Sequence, residues 1–142
     1  MMTSNSASNQ TINYFIEKVD YGLYIKFTGR LCKYGIKDWF IAVRPTINNM
    51  KKNFGLVLDL RGVKPICHDT ARMLTYGRAY LHGHGLNRIA IIYDTSATII
   101  ELMKLFSELS HDPSREKHIS STMNSNWQEQ AVNWVKYGIE PE

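Results

Sequence analysis

The sequence predicts an α/β domain: a mixed sheet of four or five strands flanked by about four helices, in the order β-β-α-β-α-β-α-β-α. Three observations carry that expectation. Two short runs near the start form a hairpin pattern, and the second alternates apolar and polar residues with a period of two, as half-buried strands do. Two later runs, Phe54-Gly55-Leu56-Val57-Leu58-Asp59-Leu60 and Arg88-Ile89-Ala90-Ile91-Ile92-Tyr93, are almost continuously apolar, as in strands covered on both faces. Elsewhere apolar residues recur three and four apart, the spacing of one helix side. The 142 residues are 44% hydrophobic and 21% charged. That excludes a disordered or fibrous chain and supplies one domain with enough core to stand without metal or disulfide support.

The elements follow in order. Residues 1–11 are rich in Ser, Asn, Thr and Gln and are expected as a solvated tail, with a single domain over 12–138 and a short C-terminal tail over 139–142. Tyr14–Val19 and Gly22–Gly29 are interrupted at Asp20-Tyr21-Gly22 and predict a β-hairpin. Ile36, Trp39, Phe40, Val43, Ile47 and Met50 trace a helix, in which Pro45 implies either a kink or two short pieces. After the Phe54–Gly62 strand, Gly62 and Pro65 bracket a turn. A helix is expected from Asp69 to about Gly83, with Asp69 or Thr70 as N-cap. Arg88–Asp94 is the next strand, and a parallel pair of strands joined through one helix requires a crossover connection. Ile99, Leu102, Met103, Phe106 and Leu109 predict a further helix. Asp112-Pro113-Ser114 reads as a loop and Glu116–Ser121 as a weakly marked strand. Asn126 stands where it caps a last helix through Trp127, Ala131, Trp134 and Val135, with Glu129 at capping-box spacing and Gly138 as its stop.

Charge and special residues bound the function. The net charge is +4, mildly basic, without the aromatic–basic interleaving or module of a nucleic-acid binder. No apolar stretch reaches membrane-spanning length. No positive charge precedes an apolar core near the start, so a secretory signal is not expected and the expected compartment is the cytoplasm. Cys32 and Cys67 are isolated, with no thiol-pair motif.

Leu56-Val57-Leu58-Asp59-Leu60-Arg61-Gly62-Val63 resembles a motif of the STAS superfamily, the sulfate-transporter and anti-sigma-factor-antagonist domain. The chain looks closest to its SpoIIAA-like, or STAS/Sec14-like, branch. Asn87-Arg88-Ile89-Ala90-Ile91-Ile92-Tyr93-Asp94 is similar to a second strand of that branch. Gln130-Ala131-Val132-Asn133-Trp134-Val135 is similar to its last helix, with Gln130 and Val135 substituted. The resemblance implies the STAS/SpoIIAA-like fold over about residues 12–138. It places Asp59 and Leu60 at the strand end and Val63 at the loop's apolar anchor. Cys67, His68 and Asp69 then fall where regulated members have aspartate, serine and the phosphorylated serine. Asp69 is a carboxylate, which a serine kinase cannot phosphorylate but which resembles a permanently acidic state. Thr70, on the following glycine position, is the nearest hydroxyl.

The candidate site is therefore the loop Arg61, Lys64, Cys67, His68, Asp69 and Thr70, where strand ends meet a helix start. Asp69 as a simple helix cap is the plain alternative. Arg72, Arg78 and Arg88 join it as a basic patch that attracts an anionic partner, against the alternative of a solvated helix face. Cys67 beside His68 has no third group to orient the imidazole, so no catalytic residues are assigned. His82 and His84 are two imidazoles at a helix exit, short of a zinc set, so no metal and no cofactor is expected. Trp39, Trp127 and Trp134 read as core or subunit interface. The expected function is a non-enzymatic STAS-like regulatory or protein-interaction domain without the usual phosphorylatable serine, with a protein partner or a second copy. The alternative is a small-molecule or lipid-binding domain, with a Sec14-like apolar pocket lined by Trp39, Phe40, Leu74, Met103 and Phe106.

Overall fold

The computed structural model describes residues 13–30, 33–64, 68–94, 104, 108 and 112–141. The hairpin forms as its alternation predicts. Strand β1 (Asn13–Val19) turns at Asp20-Tyr21 into β2 (Gly22–Arg30), and the two pair antiparallel with Glu17 opposite Tyr24. Helix α1 (Lys33–Asn48) leads to β3 (Phe54–Asp59), a two-residue β4 (Val63–Lys64) and helix α2 (His68–Gly83). Then come β5 (Leu86–Tyr93), a single 3-10 turn (Pro113–Arg115), β6 (Glu116–Ser120) and helix α3 (Trp127–Tyr137). Strands β2, β3, β5 and β6 run parallel, and the sheet order is β1-β2-β3-β5-β6, with β4 pairing the end of β2. The helix expected over 99–109 lies outside the described residues, except for Lys104 and Glu108, which are helical.

Side chains alternate across each strand, so the sheet has two chemically different faces. Leu23, Ile25 and Phe27 of β2, Leu56 and Leu58 of β3, and Ile89 and Ile91 of β5 point to one face. There they bury Ile36, Trp39, Val43 and Ile47 of α1 and Leu74 and Leu81 of α2. Val57, Ala90, Ile92 and Ile119 point to the other face, under Ala131, Trp134 and Val135 of α3. Trp134 also donates its indole N–H to the Ile89 carbonyl at 3.0 Å, satisfying the polar end of a buried ring. Helix α3 packs on β5, β3 and β6. It approaches β3 so closely that a Cβ on Gly55 would stand 2.7 Å from the Cβ of Val135.

Local details correct several expectations. Pro45 neither divides nor ends α1, which continues to Asn48. Val43 and Ile47, on either side of it, are both buried in the core, and their packing outweighs one lost backbone hydrogen bond. The second helix begins at His68, so Asp69 and Thr70 sit inside its first turn rather than at its cap. Asn126 makes no side-chain capping hydrogen bond. The approach to α3 is instead held by Ser120, whose hydroxyl accepts from the Met123 N–H at 3.1 Å, while its carbonyl accepts from the Asn124 side chain at 3.0 Å. Gly138 ends α3 as expected, with φ +72° and its N–H on the Trp134 carbonyl at 2.9 Å.

Candidate functional site

The sequence Asp59-Leu60-Arg61-Gly62-Val63 builds a fixed charged cluster at the carboxyl end of β3. The Val63 N–H donates to the Leu60 carbonyl at 3.1 Å, and Gly62 has φ +86°, a conformation open to glycine. This tight turn folds Arg61 back over the strand it has just left. Asp59 Oδ1 accepts the Arg61 backbone N–H at 3.1 Å and Nε at 2.9 Å, and Oδ2 accepts Nη2 at 2.8 Å. The guanidinium thus grips the carboxylate as a fork. Tyr24, from the neighbouring strand, donates its hydroxyl to Oδ2 at 2.6 Å. The other partner is unexpected from the sequence: the Arg61 guanidinium lies 4.3 Å from the ring centroid of Trp127, at the start of α3. Strands β2 and β3, the turn after β3 and helix α3 therefore converge through two charges and two aromatic rings.

The electrostatics of the cluster are those of a fixture. Burial pushes the Asp59 carboxyl up, but the hydrogen bonds from Arg61 and Tyr24 and the Arg61 charge outweigh it and hold the group below the usual carboxylate range. Burial and then the Asp59 carboxylate push the Tyr24 phenol up to about 12. Neither group exchanges a proton near neutral pH, so the pair provides no general acid or base there.

A pocket of about 300 Å³ opens beside this cluster, between the hairpin and α3. Glu17, Tyr21, Tyr24, Val57, Trp127 and Ala131 contribute to its wall. Its position follows from the layering: α3 packs on β3, β5 and β6, so the hairpin side of that face is the shallow side. Tyr24 and Trp127 belong both to the cluster and to the pocket. An apolar pocket was also expected between the helices and the sheet, and its five named residues are placed only in part. Trp39 and Leu74 are core side chains there, Phe40 packs against them, and Met103 and Phe106 lie outside the described residues.

The remaining candidate residues are dispersed. Lys64 and Asp69 are exposed near the start of α2, whereas Thr70 is 1% exposed, out of a kinase's reach in the folded chain. Cys67 lies outside the described residues, as does the side chain of His68. The three arginines expected as one basic patch are divided. Arg72 is exposed on α2. The Arg78 side chain is 7% exposed and pairs with Glu116 of β6, whose other oxygen lies 3.2 Å from His118 Nε2. Arg88 is on the opposite face, where its Nε donates to the Trp134 carbonyl at 2.8 Å and its guanidinium satisfies the end of α3. Buried acids and helix carbonyls claim two of these charges, which residue spacing alone does not reveal. His82 and His84 face the Leu86 and Tyr80 carbonyls at 3.2 and 2.9 Å, and among the described residues no three His, Cys, Asp or Glu side chains gather as a ligand set. No described helix is long and apolar enough to cross a membrane.

With this geometry, comparison with known proteins places the fold. The chain is similar to the crystal structure of an uncharacterised protein of the DUF3478 family with a SpoIIAA-like fold, from Shewanella loihica PV-4. The TM-score is 0.58 at 17% identity, covering 95% of this chain and 99% of that one. No family model and no curated protein matches the sequence. The chain has a SpoIIAA-like α/β fold, the fold that the strand and helix motifs imply.

Proposed function

We propose that this chain is a non-enzymatic STAS-like regulatory or protein-interaction domain whose partner surface is the start and outer side of α2. One observation carries the reading: Asp69, Arg72 and Tyr76 form a single exposed stripe on that helix, with Tyr76 72% exposed. Positions three and seven apart share a helix side, and an exposed tyrosine next to arginine is the composition of an interface anchor. Asp69 occupies the position the resemblance gives to the regulated serine, so its charge is permanent and the surface needs no kinase to become acidic. The expected partner is a protein or a second copy of the chain, with a basic group facing Asp69.

The test is affinity capture from an extract of the source cells, beside sedimentation analysis of the purified chain. Wild type is compared with Arg72→Glu and Tyr76→Ala. A specific partner, or self-association, that both substitutions weaken at unchanged helix content supports the reading. Binding indifferent to both changes, or no association at all, refutes it.

A second reading, a small-molecule-binding domain, is favoured by the pocket beside Trp127. It uses a different surface and requires no partner at α2.

A further inference from the structure

We infer that the pocket between the hairpin and α3 binds a small organic cation, of the methylated or quaternary ammonium class, in its aromatic wall. The inference rests on the second reading, that this pocket takes a small molecule, and goes further by naming the ligand's chemistry. Tyr21, Tyr24 and Trp127 contribute three aromatic side chains to one recess, and Glu17 adds a carboxylate. Glu17 is brought there by the hairpin register, which sets it directly opposite Tyr24. The described residues that line the pocket include no lysine or arginine. Aromatic faces carry negative potential and attract cations, and methyl groups on the cation add apolar contact with the same walls.

Two further features favour a cation over a neutral apolar guest. Trp127 already holds one cation, the Arg61 guanidinium at 4.3 Å, so this indole is placed for that kind of contact. The Arg61 charge is itself neutralised by the Asp59 fork at 2.8 Å and leaves Glu17 as the uncompensated charge of the wall. The phenols also remain neutral: burial first, and then neighbouring tyrosine and acidic groups, push Tyr21 upward, and Tyr24 is raised to about 12. A volume of about 300 Å³ suits an ammonium head with a short tail and is at the small end of ligand pockets.

The test is a titration of the whole chain followed by two-dimensional amide and indole NMR. The probes are choline, its neutral isostere 3,3-dimethylbutan-1-ol, and phosphatidylcholine vesicles. The expected result is a saturable shift of the Trp127 indole N–H with choline and none with the isostere. Glu17→Gln, an exposed-residue change that leaves the fold intact, is expected to weaken choline binding about three- to tenfold. Response to free choline alone assigns a soluble amine, and response to the vesicles as well assigns a lipid headgroup of the same chemistry. Equal binding of the neutral isostere overturns the cation assignment while leaving a small-molecule pocket. Silence of the Trp127 signal with every probe overturns both.

Discussion

Asp59 and Arg61 stand two residues apart, yet their loss is not symmetrical. The Asp59 side chain is 0% exposed, whereas that of Arg61 is 33% exposed. Replacing Asp59 with Asn frees a guanidinium that can turn into water, at a cost of about 1–2 kcal/mol for the lost hydrogen bonds. Arg61→Ala leaves a buried carboxylate with only Tyr24 and a backbone N–H, and is expected to cost about 3 kcal/mol. Urea denaturation of both variants checks the order, and a larger loss for Asp59→Asn would contradict it. His82 gives the second prediction at this scale. Burial, then the charges of Arg115 and Arg78, hold its imidazole below the ordinary value of 6.5 despite the favourable Leu86 carbonyl. The unfolded chain then takes up the proton first, so His82's contribution is complete above about pH 6.5 and falls as pH drops toward the folded value. Wild type is expected to lose stability on going from about pH 7.5 to about pH 5.5, and His82→Gln to lose less. Residue chemistry was only partly legible in the sequence. Asp59 and Arg61 share a motif and could be paired on paper, but the Trp127 ring that covers the arginine arrives from the far end of the chain.

Elements are joined by contacts that no local pattern announces. Helix α2 is tied to β6 by Arg78 and Glu116, both nearly excluded from water. Glu116→Ala removes the carboxylate that faces this buried arginine and is expected to cost about 3–5 kcal/mol, much of which the double replacement Arg78→Met, Glu116→Leu recovers. Thermal or urea unfolding of the three proteins tests this, and a double variant as unstable as the single one would show that the pair has another role. On the opposite face, Gly55 lets α3 approach β3. Gly55→Ala drives a Cβ against Val135 and is expected to destabilise by about 1–3 kcal/mol. At this scale the sequence was informative wherever a period ran long enough. The hairpin, β3, α2, β5 and α3 were all legible from apolar spacing. The two-residue β4 was not, because two residues have no period and its pairing depends on where β2 ends. Pro45 left a kinked helix or two short pieces open because the rule for proline is local, and the helix runs through it where Val43 and Ile47 answer to the tertiary core.

At the scale of the whole molecule, the two faces of the sheet divide the work. One is sealed by α1 and α2 over a continuous apolar core, and the other carries α3 with the pocket at its side. The class of fold was legible because strand and helix order restricts the possible connections. The candidate site was legible only at Asp59 and Arg61, because its other parts come from β1, β2 and α3 and meet by topology. The net charge of +4 likewise suggested one basic surface, which the fold distributes between a buried pair, a helix end and an exposed stripe. The two functional readings separate at this scale: Arg72→Glu is expected to weaken a protein partner and leave the choline response of Trp127 unchanged, while Glu17→Gln does the reverse. Parallel measurement of capture and NMR titration on both variants tests that independence.

The arrangement of strands also has a kinetic side. Among the described strands, only β1 and β2 are joined by a tight turn, so only this pair closes without first ordering a long loop, on the order of microseconds. The pairs β2–β3, β3–β5 and β5–β6 are parallel and must each await a crossover of many residues. Folding is therefore limited by assembly of the central strands. The hairpin carrying Glu17, Tyr21 and Tyr24 is available early as a half-formed wall, and the pocket acquires its remaining side when the last helix docks and brings Trp127 to it.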